Sequence, residues 1–241
     1  ADDLAARTAQ DWAALVAQMA AFVAERQPQT PKVRISDVGN GRQARTLVDV
    51  VTDDMPFLVD SVSMAIADAG LATHALIHPV VAVRRDAAGK LLGIADAGAD
   101  GTTADSVMHF EVDRVADEAA ARALEKGIVE ALADVRGSVS DWKAMRESML
   151  RIADDLPQRE LPVDAEGVAE AQEFLRWAVA DNFTFLGYRE YEVAKADGDE
   201  VLQAVEKSGL GILRGAERAQ APRSLRTLVA KELPQDRKSV V

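Results

Sequence analysis

Three observations on the 241-residue sequence predict an α+β fold. Apolar residues make up 48% of the chain, enough to bury a sizeable core. Between Thr46 and about Val135 the order of patterns is strand, helix, strand hairpin, strand, helix. Each helical pattern carries its apolar residues on one stripe. Helices alternating with a mainly antiparallel set of strands indicate an α/β sandwich of the ferredoxin-like kind. In it two helices cover one sheet face, and the other face is left for another domain or subunit. A second α+β module is expected to begin after residue 182.

The elements follow in order. Trp12, Leu15, Val16, Met19 and Val23 form one stripe of a first helix, which Pro28 and Pro31 end. "VRISD" (Val33–Asp37) is a short strand and "VGNGRQ" a loop. "TLVDVV" is a strand, and the helix after it runs from about Pro56 to Ala69. Leu58, Val62, Ala65, Ile66 and Ala69 share one face of it, and Gly70 is its left-handed stop. "LATHALIHPVVAVRR" turns at "DAAGK" into "LLGIA", a hairpin in which Pro79 marks an edge or bulge. "DAGADGTTADS" is the expected mobile loop and "VMHFEVDRV" the next strand.

Asp117 caps a helix with the stripe Ala121, Leu124, Ile128, Leu132 and Val135. Helical character resumes from Trp142 to Ile152, and a further helix carries Val168, Ala171, Leu175 and Ala178. "FTFLGYREYEV" is a strand with Gly187 as a bulge, and from about Gly209 the pattern is irregular. The organisation read from this is an N-terminal helix (1–30), a sandwich domain (31–140), a helical connector (141–182) and the start of a further module (183–241). The chain opens on Ala and stops at "RKSVV", and is read as a piece of a longer protein.

Charge and composition narrow the function. A formal net charge of −12 argues against nucleic acid and against an anionic membrane surface, both of which need a cationic footprint. No apolar run is long enough to span a membrane. The absence of cysteine excludes disulfides, thiol catalysis and thiolate metal sites, and fits a cytoplasmic location. "GNGRQA" (Gly39–Ala44) matches a dinucleotide pattern in letters only, since a strand follows where the mechanism needs a helix start. His74, His78 and His109 read as ordinary half-buried strand residues, and no catalytic or metal-binding set is expected.

The informative stretch is "TDDMPF" (Thr52–Phe57), between a buried-looking strand and an amphipathic helix. One reading makes an aspartate the helix cap, with Pro56 in the first turn. The other makes Asp53, Asp54, Met55, Pro56 and Phe57 a corner for a small zwitterion, the helix start holding a carboxylate and an aspartate an ammonium group.

"VVTDDMPFLVDSVSMAIADAGLATHALIHPVVAVRRDAAGKLL", with "MHFEVDR", "DVRGSVSDWKAMR", "FLRWAVADNFTFLGYREYEV" and "SGLGILRG" in that order, resembles the N-terminal region of the large NAD-specific glutamate dehydrogenases of bacteria. The resemblance spans nearly the whole chain. It implies an ACT-like domain in a long enzyme that oxidises L-glutamate to 2-oxoglutarate and ammonia. NAD and catalysis belong to C-terminal domains of the same chain, with no cofactor in this segment. It also implies a regulatory or oligomerisation role, a homo-oligomer and an amino-acid effector, or else a purely structural module without a ligand. Amino-acid-binding ACT modules commonly carry an Asp-x-Pro-Gly-type corner, and Asp54, Met55, Pro56 and Phe57 match it except that Phe57 replaces the glycine. The fourth strand of the ACT order comes either from the "VRGSV" region or from "VRISD" on the N-terminal side.

Overall fold

The computed structural model describes residues 7–39, 44–161, 163–196 and 199–215. The loop pattern at positions 40–43 and everything after Gly215 lie outside them. The chain divides into two compact units, Ala1–Val135 and Arg136–Val241.

In the first unit α1 (Ala9–Val23) opens on a reciprocal capping box between Thr8 and Asp11. Strands β1 (Lys32–Val38), β2 (Arg45–Asp53), β3 (Thr73–Ile77), β4 (Val80–Arg85), β5 (Leu91–Ile94) and β6 (Thr103–Asp113) form one sheet. The order is β1-β2-β6-β4-β5, with β3 also on β6, and every pairing is antiparallel. β3 and β4 lie along the same β6 strand and are separated by His78 and Pro79. That is the break Pro79 predicts, since it has no N–H to give to a ladder. β6 starts at Thr103, so the last four residues of the expected loop, Thr103 to Ser106, are strand.

Helices α2 (Leu58–Asp68) and α3 (Glu118–Asp155) follow β2 and β6. Leu58, Val62 and Ile66 of α2 and Leu124, Ile128, Leu132 and Val135 of α3 are buried, as their stripes predict. Gly70, at φ 75°, ends α2, and the Leu71 N–H closes on the Ile66 carbonyl. Asp117 caps α3 by accepting from the Ala120 N–H at 2.8 Å. The result is the expected ACT-like α+β sandwich, with β1 beside β2 where a fourth strand belongs. The "VRISD" alternative is therefore the correct one. "VRGSV" is helical, inside α3.

Two expectations are corrected here. The second sheet face is not left open, because α1 packs on it through Phe22, Met19 and Val23 against Val51, Val107 and Val81. Phe22, outside the stripe read from sequence, is the buried residue of α1, while Val16 is exposed. Helix α3 also runs unbroken where the sequence suggested a stop and a restart. Gly137 lies inside it, and a Cβ there would stand 3.2 Å from the Gly211 carbonyl. This glycine permits a close backbone approach rather than a turn, although glycine in a helix interior costs about 1 kcal/mol relative to alanine.

The second unit contains the C-terminal part of α3, a 3-10 turn (Leu156–Gln158), α4 (Ala165–Trp177) and a π-type turn (Ala178–Asn182). The single strand expected at "FTFLGYREYEV" is instead two short ones, β7 (Gly187–Tyr188) and β8 (Tyr191–Ala196). β8 pairs with β9 (Asp199–Ala204), and β7 with β10 (Leu210–Gly211). Asp141 of α3 accepts from the Gly211 N–H at 2.8 Å and from the Arg214 guanidinium. Burial works to raise the Asp141 pKa, but Arg214 and the Gly211 N–H outweigh it and hold the carboxyl below its ordinary value. Burial and a 2.6 Å hydrogen bond to Glu190 push the Tyr188 phenol up to about 12.

Candidate functional site

β2 ends at Asp53 and α2 begins at Leu58, with the acidic proline corner between them. The Asp54 N–H bonds the Ala104 carbonyl at 2.9 Å, which fixes the backbone and leaves the Asp54 side chain exposed. Phe57 takes the N-cap position in the left-handed region (φ 71°, ψ 2°), and among the described residues no capping side-chain hydrogen bond is made there. The capping role read for an aspartate is therefore wrong. Pro56 lies in the turn before the helix, not in its first turn. Phe57 holds the backbone shape a glycine would adopt readily, and its ring is 49% exposed.

Asp53 points to the α1 face of the sheet. Its carboxylate accepts from Arg26 Nη2 at 2.7 Å, and the same nitrogen donates to Asp105 at 2.7 Å. Asp105 in turn accepts from Arg85 Nε and Nη2 at 3.1 and 2.6 Å. Arg26 and Asp105 side chains are only 2% and 1% exposed. Burial alone would lower the Arg26 pKa, but the two aspartates more than offset it and raise it. Arg85 also donates to the Val23 carbonyl, and Lys32 to the carbonyls of Phe22 and Glu25. Cations thus meet the carbonyls at the C-terminal end of α1, where the helix dipole favours them. Beyond the helix, the Arg26 N–H bonds the Gly89 carbonyl at 3.1 Å, and a side chain at Gly89 would strike the Arg26 backbone.

Further along the same face Asp49 accepts from His109 Nδ1 at 2.6 Å and from Arg34 Nε and Nη2 at 2.9 and 2.6 Å. Glu111 pairs with Arg7 and lies 3.6 Å from His109 Nε2. The three histidines do not converge. His74 bonds Asp113 and His78 bonds Ser106, each on a separate part of β6. Between α1 and the sheet lies a cavity of about 390 Å³, walled by residues such as Trp12, Met19, Ile77, Val81 and Ile94. Its walls suit hydrocarbon rather than a zwitterion.

Of the five corner residues, Asp54 through Phe57 stay together at the start of α2, while Asp53 belongs to the ionic cluster. Sequence reading missed Arg26, Arg85, Asp105, Asp49 and Arg34. The available signal was charged or polar residues alternating along an otherwise apolar strand, as in "HFEVD", and a lone aspartate inside an apolar run, as in "LVDVV".

The family profile described as the glutamate dehydrogenase ACT1 domain matches residues 1–128. The NAD-specific glutamate dehydrogenase of Halomonas elongata is 37% identical over 220 residues, which is 88% of this chain and 14% of that protein. Its namesake from Pseudomonas aeruginosa is 40% identical over 176 residues, 72% of this chain and 11% of that protein. The one from Mycobacterium tuberculosis is 30% identical over 175 residues, 70% and 10% of the two chains. The chain spans only a small part of the length of these curated relatives.

Proposed function

This chain belongs to the glutamate dehydrogenase ACT1 domain family, and on that premise we propose that it is the N-terminal regulatory segment of an NAD-dependent glutamate dehydrogenase. The full protein oxidises L-glutamate with NAD in the cytoplasm, using C-terminal domains of the same polypeptide and assembling as a homo-oligomer. This segment performs no chemistry and acts through contacts with those domains or with another copy. The observation that carries the reading is the family match over residues 1–128, the same stretch that builds α1, the six-stranded sheet and α2. The test is glutamate-dependent NAD reduction by the purified 241-residue chain beside the full-length enzyme. Turnover by the full-length enzyme alone supports the reading. Turnover by the segment overturns it.

A finer reading, that the segment senses an amino acid, is favoured by the α2 start, whose N-cap residue Phe57 offers no capping side chain, next to the exposed Asp54 carboxylate. The α2 N–H groups would take the ligand's carboxylate and Asp54 its ammonium group, with Met55, Pro56 and Phe57 forming the wall. Asp53 contributes by holding the end of β2 through Arg26. Calorimetry against a panel of amino acids tests this. Binding heat that disappears in Asp54→Asn, with unfolding shifted by less than about 0.5 kcal/mol as expected for an exposed side chain that caps nothing, supports it. No heat from any amino acid leaves the purely structural module as the function.

A further inference from the structure

The motif "SGLGILRG" (Ser208–Gly215) has no part in the corner or in the charged sheet face. In the second unit it borders a cavity of about 540 Å³ lined by Arg189, Lys207 and Arg214 together with Glu206, Gly209 and Gly215. Arg189 lies between β7 and β8, and Lys207 in the turn between β9 and β10. Three cations from separate stretches of chain therefore meet at one concavity of a protein whose net charge is −12.

The groups around it account for only part of that charge. Arg214 is engaged by Asp141, and Glu206 is the one carboxylate among the described lining residues. Setting these two acids against two of the cations leaves one positive charge. Among the described residues neither Arg189 nor Lys207 has an ion-pair partner. Arg189 Nη2 donates to the carbonyls of Leu213 and Gly215, which orient the guanidinium, while its Nε is buried without a hydrogen-bond partner. A buried N–H left unpaired is costly, so such a group calls for an acceptor. Gly209 makes room for the Arg189 guanidinium, since a side chain there would run into it and into the Leu213 carbonyl.

We propose that this cavity binds a small oxyanion, gripped by Arg189 and Lys207 with Arg214 at its edge. A guanidinium presents N–H groups in a plane that matches carboxylate or phosphate oxygens, and the lysine adds a mobile point charge. The proposal is independent of the amino-acid corner, which lies in the first unit. The strand-length contacts of a nucleic acid do not fit so acidic a chain.

The test is calorimetry on the 241-residue chain at constant ionic strength, with inorganic phosphate in one arm, succinate in the second and chloride as the reference. Saturable binding of phosphate or of succinate beyond chloride is expected, and the arm that responds identifies a phosphate or a carboxylate as the bound group. Lys207→Asn removes the charge while tolerating the left-handed φ of 61°. It should weaken binding about tenfold, the size of one charge-assisted contact. No saturable binding in either arm, or equal affinity in Lys207→Asn, overturns the proposal.

Discussion

On one face of the sheet Val48, Val50, Met108, Phe110 and Val112 are fully buried on the side of α2 and α3. On the other face the alternate residues of the same two strands include Asp49, Asp53, Asp105, His109 and Glu111, met by Arg26, Arg34, Arg85 and Arg7. One pair of strands thus joins two interfaces of opposite chemistry. The apolar face is held by burial, which scales with area and has no direction. The charged face is held by hydrogen bonds of fixed length and angle, which fit α1 and the chain after it in one placement. Buried ion pairs add little net stability compared with apolar residues, yet breaking one of them is costly. Position, more than stability, is what the charged face supplies.

The charged face is most vulnerable at Asp105. Asp105→Ala leaves two arginines without their buried partner and should cost about 3–5 kcal/mol in denaturant unfolding. A loss below about 1 kcal/mol would mean that the two guanidiniums find water instead. On the apolar face Ile66→Val trims one methylene from a fully buried side chain and should cost about 1 kcal/mol. At the corner joining the interfaces, Phe57→Gly relieves a left-handed non-glycine residue and should stabilise by about 0.5–1 kcal/mol, offset in part by glycine's greater freedom when unfolded. A destabilised variant would show that the ring packs usefully.

The smallest effect concerns Asp113 at the end of β6. Its hydrogen bond with His74, and then the Ala72 N–H, hold its pKa below the ordinary 3.8. A depressed carboxylate stabilises the fold above its unfolded pKa and loses that contribution as pH falls through the folded value. The melting temperature of the parent chain should therefore exceed that of Asp113→Asn at pH 6, and the gap should close below about pH 4. A gap that persists at pH 2 would contradict this.

The apolar half of the design was legible because its signal is local. Val62 and Ile66 are spaced as one helical stripe, and Val48 and Val50 alternate along a strand. The charged half was not, since Arg26 and Asp105 are 79 positions apart and nothing in either neighbourhood names the other. The acidic corner lies where it was expected, but the capping role given to an aspartate was misjudged. Asp53 faces across the sheet to Arg26, and the helix starts on a left-handed phenylalanine with no aspartate capping it. The close approach at Gly137 was hidden for a similar reason, because the backbone it admits is 74 residues away at Gly211.

Helix α1 closes the second face of the sheet, packing through Phe22, Met19 and Val23, and the ionic cluster holds its C-terminal end in place. Hydrogen exchange resolved by residue, on the parent chain and on Asp105→Asn, tests it directly. Amides of α1 from Trp12 to Val23 should be protected in the parent and exchange markedly faster in the variant, while those of α2 change less. An α1 that exchanges as an unstructured segment in the parent, or that is unmoved by Asp105→Asn, would contradict the account.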